Sequence, residues 1–468
     1  MPDRNLVTCL LASAAMSIAG VAGTIQTRTL AITHIGVVDV AAGRIVTNST
    51  VTIAGDTISS VDQNGAPPAG AQVVDGQGKF LIPGLWDMHA HVQVNEKGWL
   101  PLYIANGVTG IRDMGADLDF ILDIRQATAS GRVLGPRIVA AGPILDDAPG
   151  DWPFRIRVRT PDEGRAAVQL LKRRGIDLIK VHNFTPRDVF FAIVDEARRQ
   201  QIPVAGHVPL KVTIPEGVDA SMVTIEHMSE GGRVWKACSG GDQYRPDACR
   251  PFFERLAHRR VWQTPTLVAL SELAVIGTPA SAISRDQLAY ASKAFLEMHA
   301  ANQGFFVKQP EIVDIMKNLA DVAKVVTRDM AAAGVGILAG CDAMIAGFCV
   351  HDELAAMVAA GMTPQAALQT ATINPVRYLG REMTLGTIAV GKSADLVLLD
   401  GNPFEDIANV RRIRAVVSAG RFLDRAALDR LLVQAKAAAL RKTLGDSPRK
   451  SRVVRFRLEQ GVLIPPTS

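Results

Sequence analysis

His89 and His91 stand two residues apart at the end of an apolar run, Phe80-Leu-Ile-Pro-Gly-Leu-Trp-Asp-Met-His-Ala-His91. On a strand, successive side chains alternate faces, so both imidazoles would point the same way and could grip one ion. A Zn-type site needs further N or O ligands from elsewhere in the chain. Four positions offer them: Lys180, His207 in Pro203-Val-Ala-Gly-His-Val, His227 in Val223-Thr-Ile-Glu-His-Met, and Asp342 after Ile337-Leu-Ala-Gly-Cys. Any one such histidine would ordinarily be a satisfied core residue, but six placements that agree on one site read as a metal centre. Lys180 is the odd member, because an ammonium repels cations. Desolvated, its amine can be neutral. A neutral amine can add CO2 to give a carbamate, an anionic ligand with two oxygens able to bridge two ions.

These residues need strands to aim them. Short apolar runs alternate with helical segments at Phe80–His89, Val108–Met114, Arg137–Gly142, Asp177–Val181, Val204–Val208, Thr224–Met228, Trp262–Ala269 and Val335–Gly340. Eight such units over roughly 300 residues are the size of a (β/α)8 TIM barrel, an α/β fold with catalytic groups at the C-terminal strand ends. Residues 29 to about 82 instead alternate apolar and polar positions between Gly, Asp and Asn turns, and the same texture returns at 386–400 and 413–422. Neither block makes a stable sheet alone, so one small β-sandwich built from both ends of the chain is expected. The domains predicted are a signal peptide at 1–23, the two parts of the β-sandwich at 24–82 and 384–425, the (β/α)8 barrel at 83–383, and a helical, basic tail at 426–468.

The chain has 468 residues, 48% apolar and 21% charged, as in an ordinary globular protein. Its net charge of +5 is uneven: residues 441–457 carry seven Lys/Arg against Asp446, which leaves the remainder near −1. The body is therefore no polyanion-binding surface, and no nucleic-acid partner is expected. Arg4 and the apolar, small-residue run from Leu6 to Gly23 read as a secretory signal, cleaved near Gly23. No other segment could span a bilayer. An exported, periplasmic or secreted protein follows, without stable membrane insertion after signal removal and expected as a homo-oligomer. Cys238 and Cys249 enclose a polar loop and are expected to be bridged there. Cys341, in an apolar strand, is expected as a buried free thiol.

In order and strand, His89, His91, Lys180, His207, His227 and Asp342 resemble the binuclear metal signature of the amidohydrolase superfamily. Residues 82–91, Gly107-Val-Thr-Gly-Ile-Arg-Asp-Met-Gly115 and 386–400 resemble the branch of prolidase-like dipeptidases, related carboxypeptidases and imidazolonepropionases. The resemblance spans about residues 30 to 425. It implies two divalent ions, zinc above all: one on His89, His91 and Asp342, the other on His207 and His227. A CO2-derived carbamate on Lys180 and a hydroxide would bridge them, with Asp342 as general base and acid. Imidazolonepropionases are typically mononuclear and lack this lysine, so Lys180 favours the peptidase-like side. The activity implied is hydrolysis of amide bonds in short peptides or N-acyl amino acids, extending in related enzymes to amides of bulky aromatic acids. Lactones, aryl esters and phosphotriesters would meet the same apparatus, and a cyclic amide, as imidazolonepropionases take, is a further alternative. An inactive secreted binding protein is the reading from a different class, and the complete ligand set argues against it. For substrate contacts the sequence offers His182, His351, Tyr103, Arg233, Tyr244 and Arg112, the last also as an internal partner of Asp113.

Overall fold

Alternation over residues 30–63 produces three antiparallel strands, β1 (Leu30–Asp39), β2 (Arg44–Ala54) and β3 (Thr57–Gln63). The computed structural model describes residues 29–92, 99–148, 154–229, 231–275, 283–293, 295–297, 299–300, 310–342, 344–442, 457–459 and 462–464; the expected signal peptide lies outside them. β4 (Gln72–Asp75) and β5 (Phe80–Pro83) run parallel to the two halves of β1. Gly84 then carries the chain into a second sheet. Only glycine fits there, because a Cβ would lie 2.0 Å from Thr109 Oγ1.

The second region is parallel. β6 (Leu85–Ala90), β7 (Val108–Asp113) and β8 (Arg137–Ala140) form one sheet. A six-stranded sheet contains β9 (Ile144–Asp146), β10 (Arg155–Arg157), β11 (Ile179–Val181), β12 (Val204–Gly206), β13 (Thr224–Glu226) and β14 (Trp262–Thr264). The short β9–β10 pair was not anticipated; it packs on β11 through Leu145↔Val181. The expected strand at 335–340 forms only single bridges, Gln263↔Ile337 and, just beyond, Ala90↔Asp342. Hydrogen bonds still pass from Leu338 N–H to Gln263 O and from Met88 N–H to Ala339 O, so this segment links β14 back to β6. Asp177 N–H to Ala140 O joins the two sheets on the other side. The C-terminal ends of these strands thus share one mouth.

Helices cover the outside. α1 (Pro161–Arg173) starts at a capping box of Thr160 and Glu163 and packs against α2 (Arg187–Arg199). α3 (Arg233–Ser239), α4 (Pro246–His258), α5 (Leu267–Val275), α6 (Pro310–Ala332), α7 (Phe348–Ala359) and α8 (Ile373–Tyr378) follow. Among the described residues no helix is long and apolar enough to cross a membrane.

The chain returns to its first sheet with β15 (Leu396–Leu399), β16 (Ile413–Ser418) and β17 (Arg421–Asp424), giving the order β17-β16-β15-β5-β1-β2-β3. β15 lies antiparallel on β5, with Val397 opposite Ile82. Strands from both ends therefore do combine, in one eight-stranded sheet. It curls so that Thr57 bridges Ser393, and Ile32, Ile53, Ile58, Leu81, Leu396 and Val417 share one buried cluster inside.

Candidate metal centre

All six residues expected as ligands arrive at the shared mouth. His89 lies on β6 with His91 just beyond, Lys180 is on β11, His207 and His227 follow β12 and β13, and Asp342 bridges Ala90. His89 Nε2 is 3.7 Å and His91 Nε2 3.3 Å from Asp342 Oδ1, and His227 Nε2 is 4.0 Å from Asp342 Oδ2. Ring centroids are 4.4 Å apart for His89–His227 and 5.0 Å for His207–His227. One ligand atom each from His89, His227 and Asp342 lie within 4.8 Å of one another. Lys180 is 1% exposed among them.

Each imidazole uses Nδ1 to fix its orientation, leaving Nε2 for the centre. His89 Nδ1 meets Glu226 Oε2 at 2.8 Å, His91 Nδ1 the Gly115 carbonyl at 3.3 Å, and His207 Nδ1 Asn183 Oδ1 at 3.0 Å. Those three partners accept, so Nδ1–H donates. His227 Nδ1 lies 2.6 Å from the Thr266 hydroxyl. Burial, then the charge of Lys180, holds His89 and His207 well below the usual imidazole range, in the neutral form that binds metals. Burial also works against protonated His91, but the hydrogen bond and charge of Asp342 outweigh it and raise that group. Burial pushes the Asp342 carboxyl up, yet the surrounding His227, His91 and His89 outweigh it and hold the carboxyl well below its usual range. Imidazoles, two of them held neutral by burial, with an ionised carboxylate and a buried lysine are a donor set that fits divalent ions.

The backbone here is unusual. Asp342, His227, Met228, Ser229 and Thr266 all have φ between 49° and 57°, outside the comfortable range of non-glycine residues. Asp342 N–H donates to the His89 carbonyl at 2.6 Å, and Asp87 Oδ1 accepts from the His89 and Cys341 amides. The chain turns over residues 344–347, so that Cys349, at the start of α7, comes back to Cys341 (Cα–Cα 5.8 Å), and the two are bridged. That corrects the expected free thiol: separation along the sequence hid a reversal. Cys238 and Cys249 are bridged as anticipated, tying α3 to α4.

A cavity of about 710 Å³ opens above the centre. His182 lines it, 4.0 Å from the His207 ring. The other residues considered for substrate lie outside its lining. Tyr103 is 1% exposed in the core. His351 is buried with Nε2 on the Asn106 carbonyl at 2.9 Å, and burial pushes it down to about 4. Tyr244 donates to Asp329 at 2.8 Å, and Arg233 donates to the Val208 and Val212 carbonyls. Arg112 is fully buried and pairs with Glu226, not Asp113; it donates to Met88 O, Thr224 and Thr264 as well. Asp113 accepts the Val92 and Gly115 amides instead. Sequence reasoning passed over Lys236, which lines the cavity and pairs with Asp242 at 2.7 Å, and the apolar wall of Trp235, Leu270, Leu273 and Met316. A helical Trp-Lys pair following the strand-6 histidine was the available signal.

Known proteins share this architecture. The pattern of the amidohydrolase family matches residues 298–423. Ochratoxinase from Aspergillus niger is 24% identical over 402 residues, covering 72% of this chain and 73% of its own. The solved structure of a bottromycin amidohydrolase is 26% identical with a TM-score of 0.72, covering 88% of this chain and 91% of that one. A Xaa-Pro dipeptidase solved with methionine in its active site has a TM-score of 0.64 at 20% identity, covering 85% and 100%. The fold is of TIM-barrel type. With relatives and structural neighbours that include hydrolases of amide bonds, this chain carries an amidohydrolase family domain at 298–423 and is itself a hydrolase.

Proposed function

We propose that this protein cleaves amide bonds in which one side carries a carboxylate and the other a large apolar group, as a dipeptidase or carboxypeptidase would. The parallel strands would close as a full (β/α)8 barrel, beside a sandwich-like β domain at 24–82 and 384–425. The observation that carries the reading is the convergence of His89, His91, Lys180, His207, His227 and Asp342 at one strand mouth. His89, His91 and Asp342 would hold one divalent ion, His207 and His227 a second, and carboxylated Lys180 would join them. Bound there, two ions supply an acidified water and a Lewis acid for the scissile carbonyl. Asp342 would serve as general base and acid there, holding a proton on a carboxylate oxygen and passing it to the leaving amine. Lys236 binds the substrate carboxylate. Its present partner, Asp242, is exposed and solvent screens the pair, so a substrate displaces it readily. Trp235, Leu270, Leu273 and Met316 cover the apolar side and exclude water.

The test is a panel of dipeptides, N-acyl amino acids, lactones and aryl phosphotriesters offered to zinc-loaded protein. Amides should be preferred; turnover confined to lactones or phosphotriesters would sink the reading. Lys180→Ala and Lys180→Arg should both remove most activity and lower metal content, whereas a structural lysine would tolerate Arg with full metal occupancy. Lys236→Met should raise KM for carboxylate-bearing amides roughly tenfold, the loss of one charge-assisted contact, and leave kcat nearly unchanged. Export is proposed from the N-terminal run alone; intact mass of protein made in a Gram-negative host should show residues 1–23 removed.

A further inference from the structure

A second cavity, about 1020 Å³, opens at the opposite end of the parallel strands. Its walls come from residues that precede or begin them: Leu178 before β11, Pro203 before β12, Val223 before β13 and Trp262 at the start of β14. Nothing in the hydrolytic reading uses it. Arg260, Arg377 and Arg381 line it, and among the described residues their side chains make no hydrogen bond or ion pair. Two acids also line it. Asp177 is already held by Arg125 at 2.8 Å and by the Ala140 amide at 2.8 Å, which leaves Glu382 against three guanidiniums.

Solvated arginines are ordinary on any surface. Three that share one concavity with two aromatic rings are not. Trp262 and Tyr378 meet edge to face with centroids 6.1 Å apart. Gly336 lets the indole lie against the backbone, since a Cβ there would come within 2.1 Å of the ring. The Tyr378 hydroxyl is turned inward and engaged with Arg112 Nη1 at 3.2 Å. The phenol oxygen is therefore occupied, and what Trp262 and Tyr378 add to the lining, beside Leu178, Val223 and Leu379, is apolar surface. Guanidinium groups take carboxylate and phosphate alike, in a two-pronged geometry that ammonium groups lack.

We infer that this cavity binds a small organic anion with two or more carboxylate or phosphate groups on a flat apolar body. The site is independent of the metal centre and of the hydrolytic reading. The experiment is calorimetric titration of the full-length protein with benzene-1,3,5-tricarboxylate, 1,4-phenylene bisphosphate and neutral benzene-1,3,5-trimethanol. At least one of the two anions should bind with one equivalent per chain, and which binds more tightly separates carboxylate from phosphate. Affinity should fall as salt rises, because the rim charges are exposed, and the neutral compound should not bind. Replacing Arg260, Arg377 and Arg381 together by Ala should weaken binding tenfold or more, while Lys236→Met, at the other mouth, leaves it unchanged. The singles Arg377→Ala and Arg381→Ala serve if the triple variant does not fold. No heat from either anion at millimolar concentration, equal binding by the arginine variants, or loss of binding in Lys236→Met would each overturn the inference.

Discussion

His89 shows how much of the site is decided by residues that never reach a substrate. Its Nδ1 rests on Glu226, and Glu226 is held by both Arg112 and the Thr224 hydroxyl, all of them buried. Glu226→Gln should lower metal affinity by about 10–100-fold, read by competition with a chromogenic chelator. Arg112→Met leaves the Glu226 charge buried without its partner and should cost about 3–5 kcal/mol in denaturant unfolding. Glu353 gives a pH-dependent case. It is buried where it accepts the Leu267 and Val268 amides at the start of α5, and burial pushes it from the usual 4.5 up to about 8. A carboxyl raised on folding holds its proton more tightly in the native state. Its stabilising contribution is full below about 4.5 and is lost as pH rises through about 8. Melting temperature should therefore fall between those limits, and Glu353→Gln should flatten the slope. The ligands were legible because His, Lys and Asp ending apolar runs are rare enough to stand out. Arg112 lies near a strand end as well, and Tyr103 and His351 lie on helices that follow strands. Whether such a side chain turns to the cavity or to a backbone carbonyl is a tertiary matter that spacing does not encode.

At the scale of elements, α3 carries both Lys236 and Trp235, and the Cys238–Cys249 bridge ties it to α4. Replacing both cysteines by Ser should cost about 2–3 kcal/mol in urea unfolding, from the freed loop. KM should rise more than kcat falls, since Lys236 loses its support and Asp342 does not. Strand reading found the segments that form ladders, ran past Thr264 into the start of α5, and overshot at Val335–Gly340. Gly336 and Gly340 sit there because Trp262 and His89 press on the backbone; a Cβ at 340 would lie 2.8 Å from His89 Cβ. Residues that tight pack well but pair only at single points. The three-residue strands β9 and β10 are too short to show a period.

At the scale of the molecule, one mouth of the parallel strands is built for chemistry and the other is arginine-lined, while the sheet from both chain ends lies to one side. The recurrence of alternating texture at 29–82 and 386–422 made that shared sheet readable. Its single curled form was not, because curvature follows from bulges and close contacts such as Thr57 to Ser393. The same feature imposes a timetable on synthesis. β5 pairs with β1 at once, but its other neighbour, β15, emerges about 300 residues later, roughly 15–60 s at ordinary translation rates. Through that interval Phe80–Pro83 is a bare apolar edge, open to any passing strand. Arrested nascent chains ending near residue 390 should be cut readily by protease within residues 30–83. Chains arrested far enough past Asp424 for it to clear the ribosome should resist, because only then does the first strand block acquire its last partner.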